Sequence, residues 1–295
     1  MNAASLDRSA DQLRLRIGYV QTTPEFGHIE GNIDAVRDQI ADLMRSSRAD
    51  IVVLPELAFT GYCFTSKEET ARYAESLPSG ATAAALLDIC RRHDICLVCG
   101  LAELDNGRVY NSAVAVAPEG VLCVYRKVHL FDQEIELFEP GDVGFPVFQW
   151  RGARIGMMIC FDWVFPESVR ELALGGADLI AHPANLVLPY CQQAIRTRCL
   201  ENRVFAVTAN RAGRERHGTR DLTFTGLSQI TAPDGAVLAQ AGVERGEAAA
   251  VAIDLGRARN KWFTVRNHLL HNRRPDQYNR LAGRLMPADW DGRPE

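Results

Sequence analysis

The chain has 295 residues, 47% of them hydrophobic, with 33 basic and 37 acidic side chains and a net charge of −4. That composition supports a substantial core in one large domain, and its mild acidity excludes a nucleic-acid binder held by bulk electrostatics. No apolar stretch approaches the roughly 20 residues of a membrane span, and the opening MNAASLDRSADQ lacks the apolar centre of a secretion signal, so a cytoplasmic protein is expected.

In chain order, residues 1–13 read as a flexible lead and 15–20 as a first strand. Asn32 is placed to cap a helix whose apolar positions Ile33, Val36, Ile40, Leu43 and Met44 keep helical spacing. A strand over 51–54, a helix over 81–92 and a strand over 95–99 follow. Residues 111–117 and 121–125 flank Pro118-Glu119-Gly120 and read as a hairpin. The apolar run 155–159 leads into Cys160, and Pro166 suits the first turn of the next helix. Then come a strand over 177–181, a helix over 192–202 and a strand over 204–208. A second hairpin forms around Pro233-Asp234-Gly235. The loop 211–220 carries four arginines and reads as solvated. Helix and hairpin patterns are interleaved, which predicts a layered α/β domain over 14–271 and a polar tail over 272–295.

Eight cysteines are scattered through apolar or helical patterns and should stay reduced in the cytoplasm. Cys96 and Cys99 lie three apart on a strand, so they point to opposite faces and do not share a metal. No metal site is expected.

Three strand ends carry chemistry. Glu56 follows the run 51–54, Lys127 follows 121–125, and Cys160 follows 155–159. Each residue alone has a bland reading, as a surface charge or a small core hydrophobe. Together they bring one carboxylate, one ammonium and one thiol to strand carboxyl ends, where open α/β folds collect ligands and catalytic groups.

PELAFTGY around Glu56, YRKVHLF around Lys127 and ICFDWVFPE around Cys160 resemble the three signature blocks of the nitrilase superfamily of carbon–nitrogen hydrolases. HPANL at 182–186 and LENRVFAVTANR at 200–211 also resemble family blocks. The resemblance implies a four-layer α-β-β-α sandwich with two central mixed sheets. It makes Cys160 the nucleophile, Glu56 the general base and Lys127 the cation that favours thiolate and oxyanion. The Phe161 N–H is the second oxyanion donor, and no cofactor is needed. A further glutamate in the loop after the lysine is implied, and register from Pro140-Gly141 favours Glu134 over Glu136. Beside the matched blocks, Tyr62, Phe138, Trp163, Asn185 and Leu186 are the expected substrate contacts.

His129 and His182 offer a competing Cys–His dyad; the resemblance makes both structural. The expected reaction is hydrolysis of a small amide or N-carbamoyl compound with release of ammonia. Nitrile hydrolysis is the alternative, and a non-catalytic interaction protein on the same fold is the rival of another class. Trp163 and Val164 stand where some carbamoyl-amino-acid hydrolases carry arginines. The resemblance also implies a homodimer or larger homo-oligomer, with Trp290 in the tail as an interface anchor.

Overall fold

A computed structural model describes residues 13–281 and residue 283. Most of the expected lead and the tail position Trp290 lie outside the described residues. The chain forms two compact units that part between Asn260 and Lys261.

The first unit is built on two six-stranded sheets. The first contains β1 (Arg14–Gln21), β2 (Ile51–Val53), β3 (Cys96–Asp105), β4 (Arg108–Ala117) and β5 (Gly120–Arg126). The second contains β6 (Val147–Trp150), β7 (Ala153–Met157), β8 (Leu179–Ala184) and β9 (Phe205–Asn210). A separate two-stranded ribbon is made of β10 (Arg214–His217) and β11 (Arg220–Thr223). β12 (Gln229–Thr231) and β13 (Val237–Gln240) complete the second sheet, and β14 (Glu247–Asp254) returns to the first. The strand orders are β14-β1-β2-β3-β4-β5 and β13-β12-β9-β8-β7-β6. Within each, a parallel centre (β1-β2-β3 and β7-β8-β9) is flanked by antiparallel partners.

Side-chain alternation shows how the layers stack. Ile17, Tyr19, Ile51, Val53, Cys96 and Val98 share one core with Ile155, Met157, Leu179 and Phe205 of the other sheet. Their neighbours Val20, Val52, Leu54, Leu97 and Cys99 point the other way. There they meet α1 (Ile29–Ser46) and α3 (Ala81–His93), chiefly through Ile33, Val36, Ile40, Leu86 and Ile89, while α2 (Lys67–Tyr73) packs Ala71 and Tyr73 in a separate cluster. After the short α4 (Glu134–Leu137), α5 (Pro166–Leu174) and α6 (Cys191–Asn202) supply Val169, Leu172, Ile195 and Cys199 to the shared core on the second sheet's side. The result is the expected α-β-β-α sandwich, closed by α7 (Leu255–Arg259) after β14. Each fully buried Leu or Ile adds roughly 1.5–3 kcal/mol of transfer free energy, so period-two burial on both sheets commits the strands to this register. Cys96 and Cys99 face the two different cores.

Two local expectations fail. Asn32 does not cap α1, which begins at Ile29 after His28. Its side chain bonds the backbone of Glu25 at both ends and donates to the Phe59 carbonyl at 2.8 Å, tying two loops together. The arginine-rich segment is not a simple solvated loop, because it folds into the β10–β11 ribbon. Arg211 just before it is fully buried, pairing with Glu215 at 2.7 Å and lying over the Phe224 ring. Arg214 and Arg216 do remain exposed, paired to Asp221.

Candidate active site

Glu56 leaves the end of β2 through Leu54 and Pro55 on a turn that docks against β3. Gly100 accepts from Ala58 N–H at 3.0 Å and donates to the Pro55 carbonyl at 3.0 Å. A Cβ at Gly100 would stand 2.4 Å from the Glu56 Cα, so only glycine lets the two backbones approach this closely. Lys127 directly follows β5; its N–H donates to the Asn111 carbonyl and its own carbonyl accepts from Gly141 N–H, both at 2.8 Å. A Cβ at Gly141 would lie 2.0 Å from the Arg126 carbonyl oxygen, which explains the Pro-Gly turn behind the lysine.

These turns bring Glu56, Lys127 and Glu134 together, all but inaccessible to water. Lys127 Nζ donates to Glu56 Oε1 at 2.7 Å and to Glu134 Oε1 at 2.8 Å. Asn111 Nδ2 gives Glu56 Oε1 a second bond at 2.7 Å. Glu134 also accepts from the Tyr62 hydroxyl at 2.6 Å and from Phe131 N–H at 3.0 Å. Of the two loop glutamates weighed from sequence, Glu134 is thus in the cluster and Glu136 is exposed. Glu56 Oε2 is buried with no partner among the described residues, leaving one carboxylate oxygen for chemistry.

Cys160 sits where β7 gives way to a 3-10 turn over Cys160–Val164, with φ at +41°. A non-glycine residue in the left-handed region is strained and persists only where its surroundings hold it. Asp162 does much of the holding. Its carboxylate accepts from Ile159 N–H at 2.8 Å, the Tyr125 hydroxyl at 2.6 Å and His129 Nδ1 at 2.8 Å. His129 stacks on Phe165. His182 reaches the Cys160 carbonyl through Nε2 at 3.0 Å and Thr208 Oγ1 through Nδ1 at 3.1 Å. A carbonyl only accepts, so His182 carries its proton on Nε2. Both imidazoles are therefore occupied bracing backbone and carboxylate.

The charges set the protonation states. Burial pushes the Glu56 carboxyl above its usual range, with Glu134 adding to the shift and Lys127 opposing it. Burial works against the Lys127 ammonium, but the Glu134 and Glu56 carboxylates outweigh it and hold its pKa up. Burial, then Glu56, raises the Cys160 thiol well above the usual range, against the pull of Lys127 and of the Asn185 backbone N–H. Burial lowers His182 to about 4, so it is neutral near pH 7. The resting arrangement is a protonated thiol close to a desolvated carboxylate, an arrangement able to pass a proton as the sulfur attacks.

The sulfur opens into a cleft whose wall includes Phe161, Trp163, Asn185 and Leu186. Asn185 Nδ2 is committed to the Glu56 carbonyl at 2.8 Å. Tyr62 and Phe138, also expected at the substrate, lie in an apolar cluster with Leu57, Phe64 and Phe224, and the Tyr62 hydroxyl reaches Glu134 at 2.6 Å. Sequence reasoning missed Asn111, Asp162 and Glu215. Glu215 Oε1 accepts from Tyr62 and Cys63 N–H at 2.8 and 2.6 Å, fixing the strand of chain that carries Tyr62. Asp162 lay inside a matched block, and its place two residues beyond Cys160 was the available signal. Asn111 and Glu215 carried none, because their partners are distant in sequence.

Comparison with known proteins agrees with this geometry. The carbon–nitrogen hydrolase family profile matches residues 16–261. A nitrilase of Pyrococcus abyssi is 44% identical over 266 residues, covering 90% of this chain and 100% of that protein. An (R)-stereoselective amidase of a Pseudomonas species is 38% identical over 231 residues, covering 77% of this chain and 81% of that one. The crystal structure of a carbon–nitrogen hydrolase from Helicobacter pylori superposes with a TM-score of 0.83 at 25% identity, covering 92% and 99% of the two chains. The chain belongs to the carbon–nitrogen hydrolase family, and with it to the nitrilase superfamily of enzymes.

Proposed function

We propose that the protein hydrolyses the carbon–nitrogen bond of a small amide or N-carbamoyl compound through a thioester on Cys160. The observation that carries this reading is the sealed Glu56–Lys127–Glu134 cluster beside a strained, buried cysteine. Such burial of charge costs stability, and no structural need for it is visible in the fold.

As the Cys160 sulfur attacks the carbonyl carbon, its proton passes to Glu56. The carbonyl oxygen becomes an oxyanion facing Lys127 Nζ and the Phe161 N–H. Collapse breaks the C–N bond, the leaving nitrogen takes the proton from Glu56, and ammonia departs. Glu56 then removes a proton from water, which attacks the thioester; the acid leaves and the Cys160 thiol is restored. Glu134 holds Lys127 in place and completes its charge balance. His182 is a poor base for the thiol, since its Nε2 proton is directed at the Cys160 carbonyl.

A second reading, nitrile hydrolysis, is favoured by the 44% identity to a protein named nitrilase. The same groups would serve, with thioimidate in place of the first adduct. Ammonia release across matched amides, N-carbamoyl amines and nitriles separates the two: acid from nitriles with amides untouched would overturn the amide reading. Glu56→Gln is expected to lower turnover by about a thousandfold, whereas near-normal turnover would restore a Cys–His dyad. On the same reading the enzyme is a cytoplasmic homodimer or larger homo-oligomer, in keeping with eight free cysteines, and light scattering of the purified chain checks the assembly.

A further inference from the structure

Among the described residues, those lining the cleft in front of Cys160 include no ionisable side chain other than the thiol. Phe131, Phe161, Trp163, Leu186, Val187 and Leu188 form an apolar wall, with Asn185 as the polar exception. The amide nitrogen of Asn185 is already used on the Glu56 carbonyl. Arg198, on α6, reaches the carbonyls of Trp163 at 3.4 Å and Val164 at 3.2 Å and the Glu201 carboxylate at 3.2 Å, so its guanidinium is spent on the cleft's own backbone. The charged groups of the site, Glu56, Lys127 and Glu134, are paired with one another.

We infer that the cleft selects an uncharged, apolar substrate body and rejects bodies bearing a carboxylate or an ammonium. A charged tail would lose its hydration against Trp163, Leu186 and Leu188 with no counter-charge to replace it. N-carbamoyl amino acids and N-carbamoyl diamines, which carry such charges, fall outside this class, and small neutral amides or nitriles fall inside it. The inference rests on the reading of Cys160 as the nucleophile and narrows its substrate.

The test compares butanamide with succinamate and 4-aminobutanamide, which share a chain but end in methyl, carboxylate and ammonium. Butanamide is expected to exceed both in kcat/KM by about a hundredfold. Charged amides turned over within about tenfold of butanamide would overturn the inference while leaving the hydrolase reading intact. A second arm needs no turnover: labelling of Cys160 by butyl, sulfonatoethyl and trimethylammonioethyl methanethiosulfonates, followed by peptide mapping and normalised to free cysteine. Fast labelling by the butyl reagent alone supports a neutral cleft even if no amide is cleaved, in which case the hydrolase reading alone fails; equal labelling by all three overturns the inference. Leu188→Arg, at the exposed lip, should raise the succinamate-to-butanamide ratio by about fivefold or more without raising that for 4-aminobutanamide. An unchanged ratio would count against the inference.

Discussion

The two sheets furnish opposite walls of the site and treat charge differently. From the first sheet come Glu56, Lys127 and, in the loop after it, Glu134, sealed from water and bonded to one another at 2.7–2.8 Å. From the second come Cys160 and His182, both buried and both neutral near pH 7, because burial raises the thiol and lowers the imidazole. On the first wall the neighbouring carboxylates hold the Lys127 ammonium charged against burial; on the second, burial favours the neutral thiol and the neutral imidazole. The contrast leaves the sulfur protonated at rest.

The comparison breaks most readily at Lys127. Lys127→Met would leave two carboxylates facing each other without a cation, and the folded state should lose about 3–5 kcal/mol at neutral pH, measured by urea unfolding. Because the Glu56 carboxyl, already raised by burial, can then take up a proton, part of that loss should return as pH falls. A loss under about 1 kcal/mol would mean that the cluster is effectively solvated.

The neutral wall is probed by pH. The unfolded chain protonates His182 near 6.5, the folded one only near 4. Its penalty is therefore absent above pH 6.5, grows as pH falls and saturates below about 4, amounting to about 3 kcal/mol at most. His182→Gln should flatten the stability curve across that window, in parallel unfolding titrations. An unaltered slope would show that His182 is charged in the folded protein.

Tyr62→Phe is the mildest probe, removing one hydrogen bond to Glu134. A cost of about 1–2 kcal/mol is expected, seen as roughly a five- to thirtyfold fall in kcat with KM nearly unchanged. A rise in KM alone would place Tyr62 at the substrate, as the sequence led one to expect, rather than behind Lys127.

The hairpins at Pro118-Glu119 and Pro233-Asp234-Gly235 and the helix starting at Pro166 were legible because turn and cap signals act locally. Asn32 misled for the same reason: its composition fits a helix cap, but loops at Glu25 and Phe59 claimed its side chain. The arginine segment misled because a buried Arg211 depends on Glu215 and Phe224, whose proximity no local pattern reports. Of the site, the acid, amine and thiol were readable as strand ends within three family-like blocks. Tyr62 and Phe138 were readable only as aromatics near those blocks, not as members of a cluster behind the charges.

Periodicity and turn chemistry, carried by the sequence itself, determined which segments become strands and helices and which strand ends bear Glu56, Lys127 and Cys160. Only the tertiary structure decided that Asn111 would clamp Glu56, that Asp162 and His182 would hold the cysteine turn, and that an apolar wall would line the cleft. The physical reason is range. Backbone propensity acts over a few residues, whereas protonation and pocket polarity depend on groups such as Asn111 and Glu56 that meet only after two sheets have packed.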